Sequence, residues 1–154
     1  MAAGKWKLYE TAKLAIINGE IDFNADAFKI ILCTSASNCN TLTAGTIDAL
    51  TDITNQVATA NGYTQNDKSI TISTSQTGGT VTVDETTNPS WTASGGSIVA
   101  RFAVIYDDTT ATDIPICVCL LDTTPADVTT TSGNSLTLNI NASGLFTLSG
   151  AASD

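Results

Sequence analysis

From Ile70 to Leu148 apolar residues return at every second position, in short bursts separated by turn signals. Alternate residues of an extended strand share one side, whereas a helix repeats near every fourth, so this rhythm builds sheet. Ile70 and Ile72 face one way, Thr71 and Ser73 the other; Gly78–Gly79 is a turn, and Val81 and Val83 flank Thr82. Asn88–Pro89 turns the chain before Trp91. Ile98 to Tyr106 reads as the longest strand, with Ile98, Ala100, Phe102, Val104 and Tyr106 on one face. Its other face, Val99, Arg101, Ala103 and Ile105, is also mostly apolar. Ile114 to Leu121 is equally two-sided, with Pro115 near its beginning, where a strand tolerates proline. A strand apolar on both sides lies centrally or under another element. Leu136, Leu138 and Ile140 alternate with Thr137, Asn139 and Asn141, and Gly144 leads into a closing strand, Leu145 to Leu148.

The remaining composition agrees. Charged residues are 14% of the chain, against roughly a quarter in ordinary domains, and threonine, 27 residues, fills much of the gap. Its branched Cβ suits a pleated, half-wet surface. Upstream of the strands the pattern changes. Leu8, Tyr9, Ala12, Ala15 and Ile16 make one helical stripe within about Lys5 to Asn18, and Gly19 stands where a left-handed C-cap belongs. Trp6, Leu14 and Ile17 widen the apolar set beyond that stripe, which predicts contacts on a second side, with a neighbouring subunit. Phe28 to Cys33 reads as a strand and residues 34–45 as a loop. Thr46 to Val57 reads as a short helix capped by Thr46, with Ile47, Leu50, Ile53 and Val57 at helical spacing. Asn61–Gly62–Tyr63 is a turn. The expectation is a mainly β chain: an antiparallel β-sandwich, jelly-roll-like, with an N-terminal α-helix. It reads as a single domain over 1–154, helix about 5–18 and sandwich about 21–149, with no internal repeat or linker.

Charge narrows the partners. Residues 1–29 carry four basic groups (Lys5, Lys7, Lys13, Lys29) and four acidic ones, so the formal charge of −9 belongs wholly to residues 30–154. Phosphate backbones require clustered Lys and Arg, and anionic membranes repel such a surface, so neither nucleic acid nor membrane is an expected partner. No apolar run reaches the roughly 18 residues of a membrane span. The stretch Met1 to Gly19 has no h-region and no A-x-A site, so it is not read as a secretory signal; the expectation is a chain made in the cytoplasm that stays there or leaves by a route the sequence does not encode.

Catalytic and cofactor chemistry find little to work with. There is no His for a Ser–His or Cys–His pair. Asp107 and Asp108, with Asp113 and Asp122 nearby, are the acid candidates: a glycosidase-type carboxylate pair, a Ca²⁺ site, or the start of the turn Thr109–Thr110. Turn chemistry accounts for them without a ligand and is the favoured reading. Cys33/Cys39 and Cys117/Cys119 could form a Cys-only metal site but fit better as small hydrophobes with free thiols. Arg101, the only arginine, fits an inter-subunit salt bridge and an internal ion pair equally. Trp6 and Trp91 are sugar-stacking platforms or, more commonly, core or interface anchors. Asn141–Ala142–Ser143 matches a glycosylation sequon, which means little in a cytoplasmic or bacterial setting. No cofactor and no metal are expected.

Taken in order, several segments resemble a known family. Lys7–Leu8–Tyr9 with the run to Asn18–Gly19–Glu20–Ile21–Asp22 resembles the start of small virion proteins encoded in tailed-phage head gene clusters, and Phe28–Lys29–Ile30–Ile31–Leu32 their first strand. Leu50 to Val57 followed by Asn61–Gly62–Tyr63 looks like their stretch ending in a Gly-Tyr turn. Arg101 to Asp107 is similar to their long central strand, and Gly144–Leu145–Phe146–Thr147–Leu148 to their closing strand. The resemblance implies a head decoration or cement protein. Such a protein is not an enzyme, binds the major capsid protein on the capsid exterior, and associates with itself, as a trimer at threefold positions. Candidate interface residues are Trp6, Leu8 and Tyr9 at the helical end, with Arg101 and Trp91. The competing reading is a phage tail or fibre module that holds a host-surface glycan through Trp91 or an exposed Tyr.

Overall fold

Residues 28–33, 102–107 and 115–120 carry apolar side chains on both faces, and they form the middle of the fold. The computed structural model describes residues 4–124, 126–140 and 143–150. Strands β1 (Lys7–Leu8), β2 (Phe28–Cys33) and β3 (Ser69–Ile70) combine with β8 (Phe102–Asp107) and β9 (Pro115–Leu120). Together they make one antiparallel sheet, in the order β1-β9-β8-β2-β3. A second sheet pairs β4 (Ile72–Thr77), β5 (Thr80–Glu85) and β12 (Phe146–Ser149), with β5 in the middle. Two ribbons complete the set: β6 (Ser90–Thr92) with β11 (Ser135–Thr137), and β7 (Ile98–Ala100) with β10 (Val128–Thr130). Among the described residues every pairing is antiparallel and the single α-helix, α1 (Glu10–Asn18), is N-terminal, so the chain is mainly β as its rhythm predicts.

One apolar cluster runs through the chain from Tyr9 to Leu145. Val104, Ile105, Ile30 and Ile31 lie at its centre with essentially no exposure. Phe28 stacks on Phe23 at 5.6 Å, and Phe23 meets Phe146 edge-on at 6.0 Å, which ties the five-stranded sheet to β12. α1 packs on β9 through Ala12 and Ala15, whose small side chains let the two backbones approach. Gly19 ends the helix at φ 74°, the Glu20 N–H closing on the Ala15 carbonyl at 2.9 Å.

Three sequence expectations change. The helix begins at Glu10, not near Lys5, because Lys7 and Leu8 are drawn into the sheet opposite Val118 and Cys117. The run 46–57 contains only a 3₁₀ turn, Leu50–Asp52. The Asp52 carboxylate takes the N–H groups of Asp48 and Ala49, while Val57 bonds to the Leu32 carbonyl, so Ile47, Leu50, Ile53 and Val57 reach the core from an irregular strap. The long strand divides at Arg101: β7 pairs with β10, whereas β8 lies between β2 and β9. Ile98 and Ala100 are buried and Val99 exposed before the break, but after it Ala103 to Asp107 are buried without interruption.

Candidate assembly surface

The N-terminal element and the C-terminal strands bound a half-open cleft of about 1170 Å³. Trp6, Leu121, Leu138, Ile140, Leu145 and Phe146 give it apolar walls. Trp6 and Leu8 are half-buried, so both keep some surface. Tyr9, named with them from the sequence, is fully buried; its hydroxyl donates to the Cys39 carbonyl. The extended residue before the helix must turn inward here, which makes Tyr9 a core residue and not a contact.

The outward face of α1 differs from the inward one. Leu14 is 63% exposed and Ile17 78%, the two most exposed large apolar side chains among the described residues. Lys5, Lys7 and Lys13 are exposed on the same N-terminal stretch. Four of the six basic residues therefore belong to the first 29 positions of a chain that is otherwise acidic.

The other expected contacts sit elsewhere. Trp91 is 4% exposed, packed 6.2 Å from the Tyr63 ring and covered by the Lys68 ammonium at 5.7 Å. With its faces occupied it is a core anchor and offers no open sugar platform. A small hollow of about 300 Å³ beside it is lined by Thr64, Asp67, Lys68, Ser90 and Trp91 itself. Arg101 is partly buried, and its guanidinium lies 4.0 Å from the Asp127 carboxylate of the same chain. Tyr63 is an internal clamp: its hydroxyl accepts the Leu32 N–H at 3.0 Å, and burial pushes its phenol up to about 12.

The acid candidates separate. Asp107 caps the turn, accepting the Thr109 N–H at 2.8 Å and the Thr110 N–H at 3.3 Å, as turn chemistry predicts. Asp108 instead meets Lys29 at 2.7 Å. Asp107 is nonetheless unusual, because it is fully buried and its Oδ2 meets no donor. Burial, together with the neighbouring Asp26 carboxyl, pushes it up to about 6. Nothing in the sequence signals Asp26, which is remote along the chain and reaches Asp107 only because the turn before β2 folds against the end of β8. Asp107 lines neither concavity.

All four cysteines are buried free thiols. A hydrogen bond to Cys39, with burial, pushes the Cys33 thiol well up; burial, with the neighbouring Cys119, does so for Cys117, and burial alone takes Cys119 up to about 11. Protonated and enclosed, these three are slow nucleophiles, whereas the hydrogen bond with Cys33 pulls the buried Cys39 thiol down. Among the described residues no three His, Cys, Asp or Glu side chains gather closely enough to hold a metal ion. No described helix is long and apolar enough to cross a membrane. The sequon falls partly outside the described residues, which exclude Asn141 and Ala142.

Comparison with known proteins adds no relative: no family model, curated protein or solved structure matches the chain.

Proposed function

We propose that this chain is a structural subunit of a tailed-phage particle that binds the major capsid protein on the capsid exterior and stabilises the shell. The observation that carries the reading is the outward face of α1, where Leu14 and Ile17 stand in water next to exposed lysines. A large aliphatic side chain left in water forgoes roughly 1.5–3 kcal/mol of burial, which docking recovers. Lysines beside them favour an acidic acceptor, while the −9 carried by the rest of the chain keeps that remainder soluble and turned to solvent. Stable contacts usually bury about 800 Å² per partner. Repeated copies on a symmetric shell, as trimers at threefold positions, add avidity to a smaller one.

The test mixes the purified chain with expanded shells that lack it and images the particles. Density at symmetry positions, with a gain in shell stability, is the expected result. Replacing Leu14→Glu and Ile17→Glu together should lower occupancy at least tenfold while circular dichroism stays unchanged, because neither side chain supports the core. Trp6→Ala should loosen binding as well. Bare shells with the unaltered chain, or full occupancy by the double variant, would overturn the proposal.

A further inference from the structure

The three-stranded sheet leaves one long edge open. In the order β12-β5-β4, strand β4 has a partner on one side only, and Ser73 to Thr77 are all exposed. The two-residue turn Gly78–Gly79 closes the hairpin with Thr77 opposite Thr80. That end pair is hydrogen-bonded in such hairpins, and bonded pairs then alternate along the ladder. Ser75 and Ser73 are the next bonded residues, and the Thr86 N–H to Thr71 carbonyl bond at 3.0 Å continues the same phase. Ile72, Thr74 and Gln76 therefore turn their amide and carbonyl groups away from β5. Among the described residues, no other backbone segment bonds to Thr74 or Gln76 there.

Exposed edges are usually blunted by lysine, proline, a bulge or a cover. β4 reads Ile-Ser-Thr-Ser-Gln-Thr, with no charge and no proline, and its register against β5 shows no bulge. We infer that β4 is an assembly edge that pairs antiparallel with the β4 of a second copy about a two-fold axis through Thr74. That register sets Thr74 opposite Thr74 and Ile72 opposite Gln76, giving about six new backbone hydrogen bonds, two for each narrow pair. It also sets Ser73 opposite Ser75 in the close, non-bonded positions. The chain already makes such hydroxyl contacts across strands: Ser90 to Thr137 at 2.8 Å and Thr92 to Ser135 at 2.7 Å on the β6–β11 ribbon.

A second copy is favoured as the occupant because a two-fold pairing places each side chain opposite its own kind of strand, and like charges there repel. A strand without charges escapes that penalty. Each whole chain still carries −9, so the contact should strengthen as salt screens the bodies. The result is a continuous sheet running β12-β5-β4 into β4-β5-β12 of the second copy. Neighbouring copies are thereby joined by a contact separate from the α1 face, and it does not require that face to bind a shell.

The test follows mass against concentration in low and high salt, by analytical ultracentrifugation of the full chain. The expected result is a species whose mass doubles with concentration, more readily at high salt. Thr74→Pro removes the outward N–H and places a ring in the path of the incoming strand. Thr74→Lys leaves the backbone intact and sets like charges opposite each other across the axis. Either change should raise the dissociation constant about tenfold or more, with unchanged circular dichroism. A mass that never doubles overturns the proposal, as does doubling that survives in a folded Thr74→Lys chain. So does an edge filled only by a strand of the shell.

Discussion

Replacing Asp107→Asn should make this protein more stable at neutral pH, although it removes a residue with two turn-capping hydrogen bonds. Asp107 is buried, its Oδ2 faces no donor, and it neighbours another carboxyl, that of Asp26. Two carboxylates cannot bond unless one keeps a proton, so the folded chain holds that proton more tightly than the unfolded one. A folded pKa of about 6 against an ordinary 3.8 corresponds to about 3 kcal/mol of stability. Because the folded value is the higher, that contribution is fully present below about pH 3.8 and lost as pH rises through 6. The nearby Lys29 does not relieve it, being engaged with Asp108. Asparagine keeps an oxygen for the Thr109 and Thr110 N–H groups and offers Asp26 an N–H donor at every pH. The variant should therefore gain about 2–3 kcal/mol at pH 8, or roughly 5–10 °C in melting temperature for a chain of this length, and nothing near pH 4. Urea and thermal unfolding of both chains between pH 4 and 8 measure this. The reasoning is refuted if the parent keeps its stability from pH 5 to 8, or if Asp107→Asn melts lower at pH 8.

Two further outcomes check the core and one turn. Ile31→Ala, at a fully buried position of β2, should cost about 2–5 kcal/mol, read as a lower urea midpoint with an unchanged slope. Gly62→Ala should also destabilise by more than about 1 kcal/mol, because Gly62 sits at φ 86° and an added Cβ would lie 2.2 Å from the Thr92 carbonyl oxygen. A melting temperature within a degree of the parent would contradict that geometry.

The two proposed assembly contacts would use different physics, which lets solution conditions separate them. Docking of the α1 face, with its lysines, on an acidic acceptor should weaken as salt rises. Pairing of the β4 edges through backbone hydrogen bonds between like-charged bodies should strengthen with salt.

Much of the architecture is legible locally, because a side chain's periodicity is a property of neighbouring residues. The two-residue rhythm marks β5 and the closing strand, the two-sided apolar runs mark the central strands β2, β8 and β9, and Gly19 marks the helix end. Turn chemistry at Asp107 is legible for the same reason, since its donors lie two and three residues on. What escapes the sequence depends on partners distant along the chain. Lys7 and Leu8 become strand only because Val118 and Cys117 lie alongside, and the run 98–106 divides only because β10 captures one half and β2 the other. Tyr9 and Trp91 look equally suited to an interface or a core, and the answer lies in Cys39, Tyr63 and Lys68, which reach them across the fold. The strained pairing of Asp107 with Asp26 and the open edge of β4 are likewise tertiary facts. Local sequence sets each segment's backbone preference, but burial, charge contact and edge exposure arise only when remote segments meet.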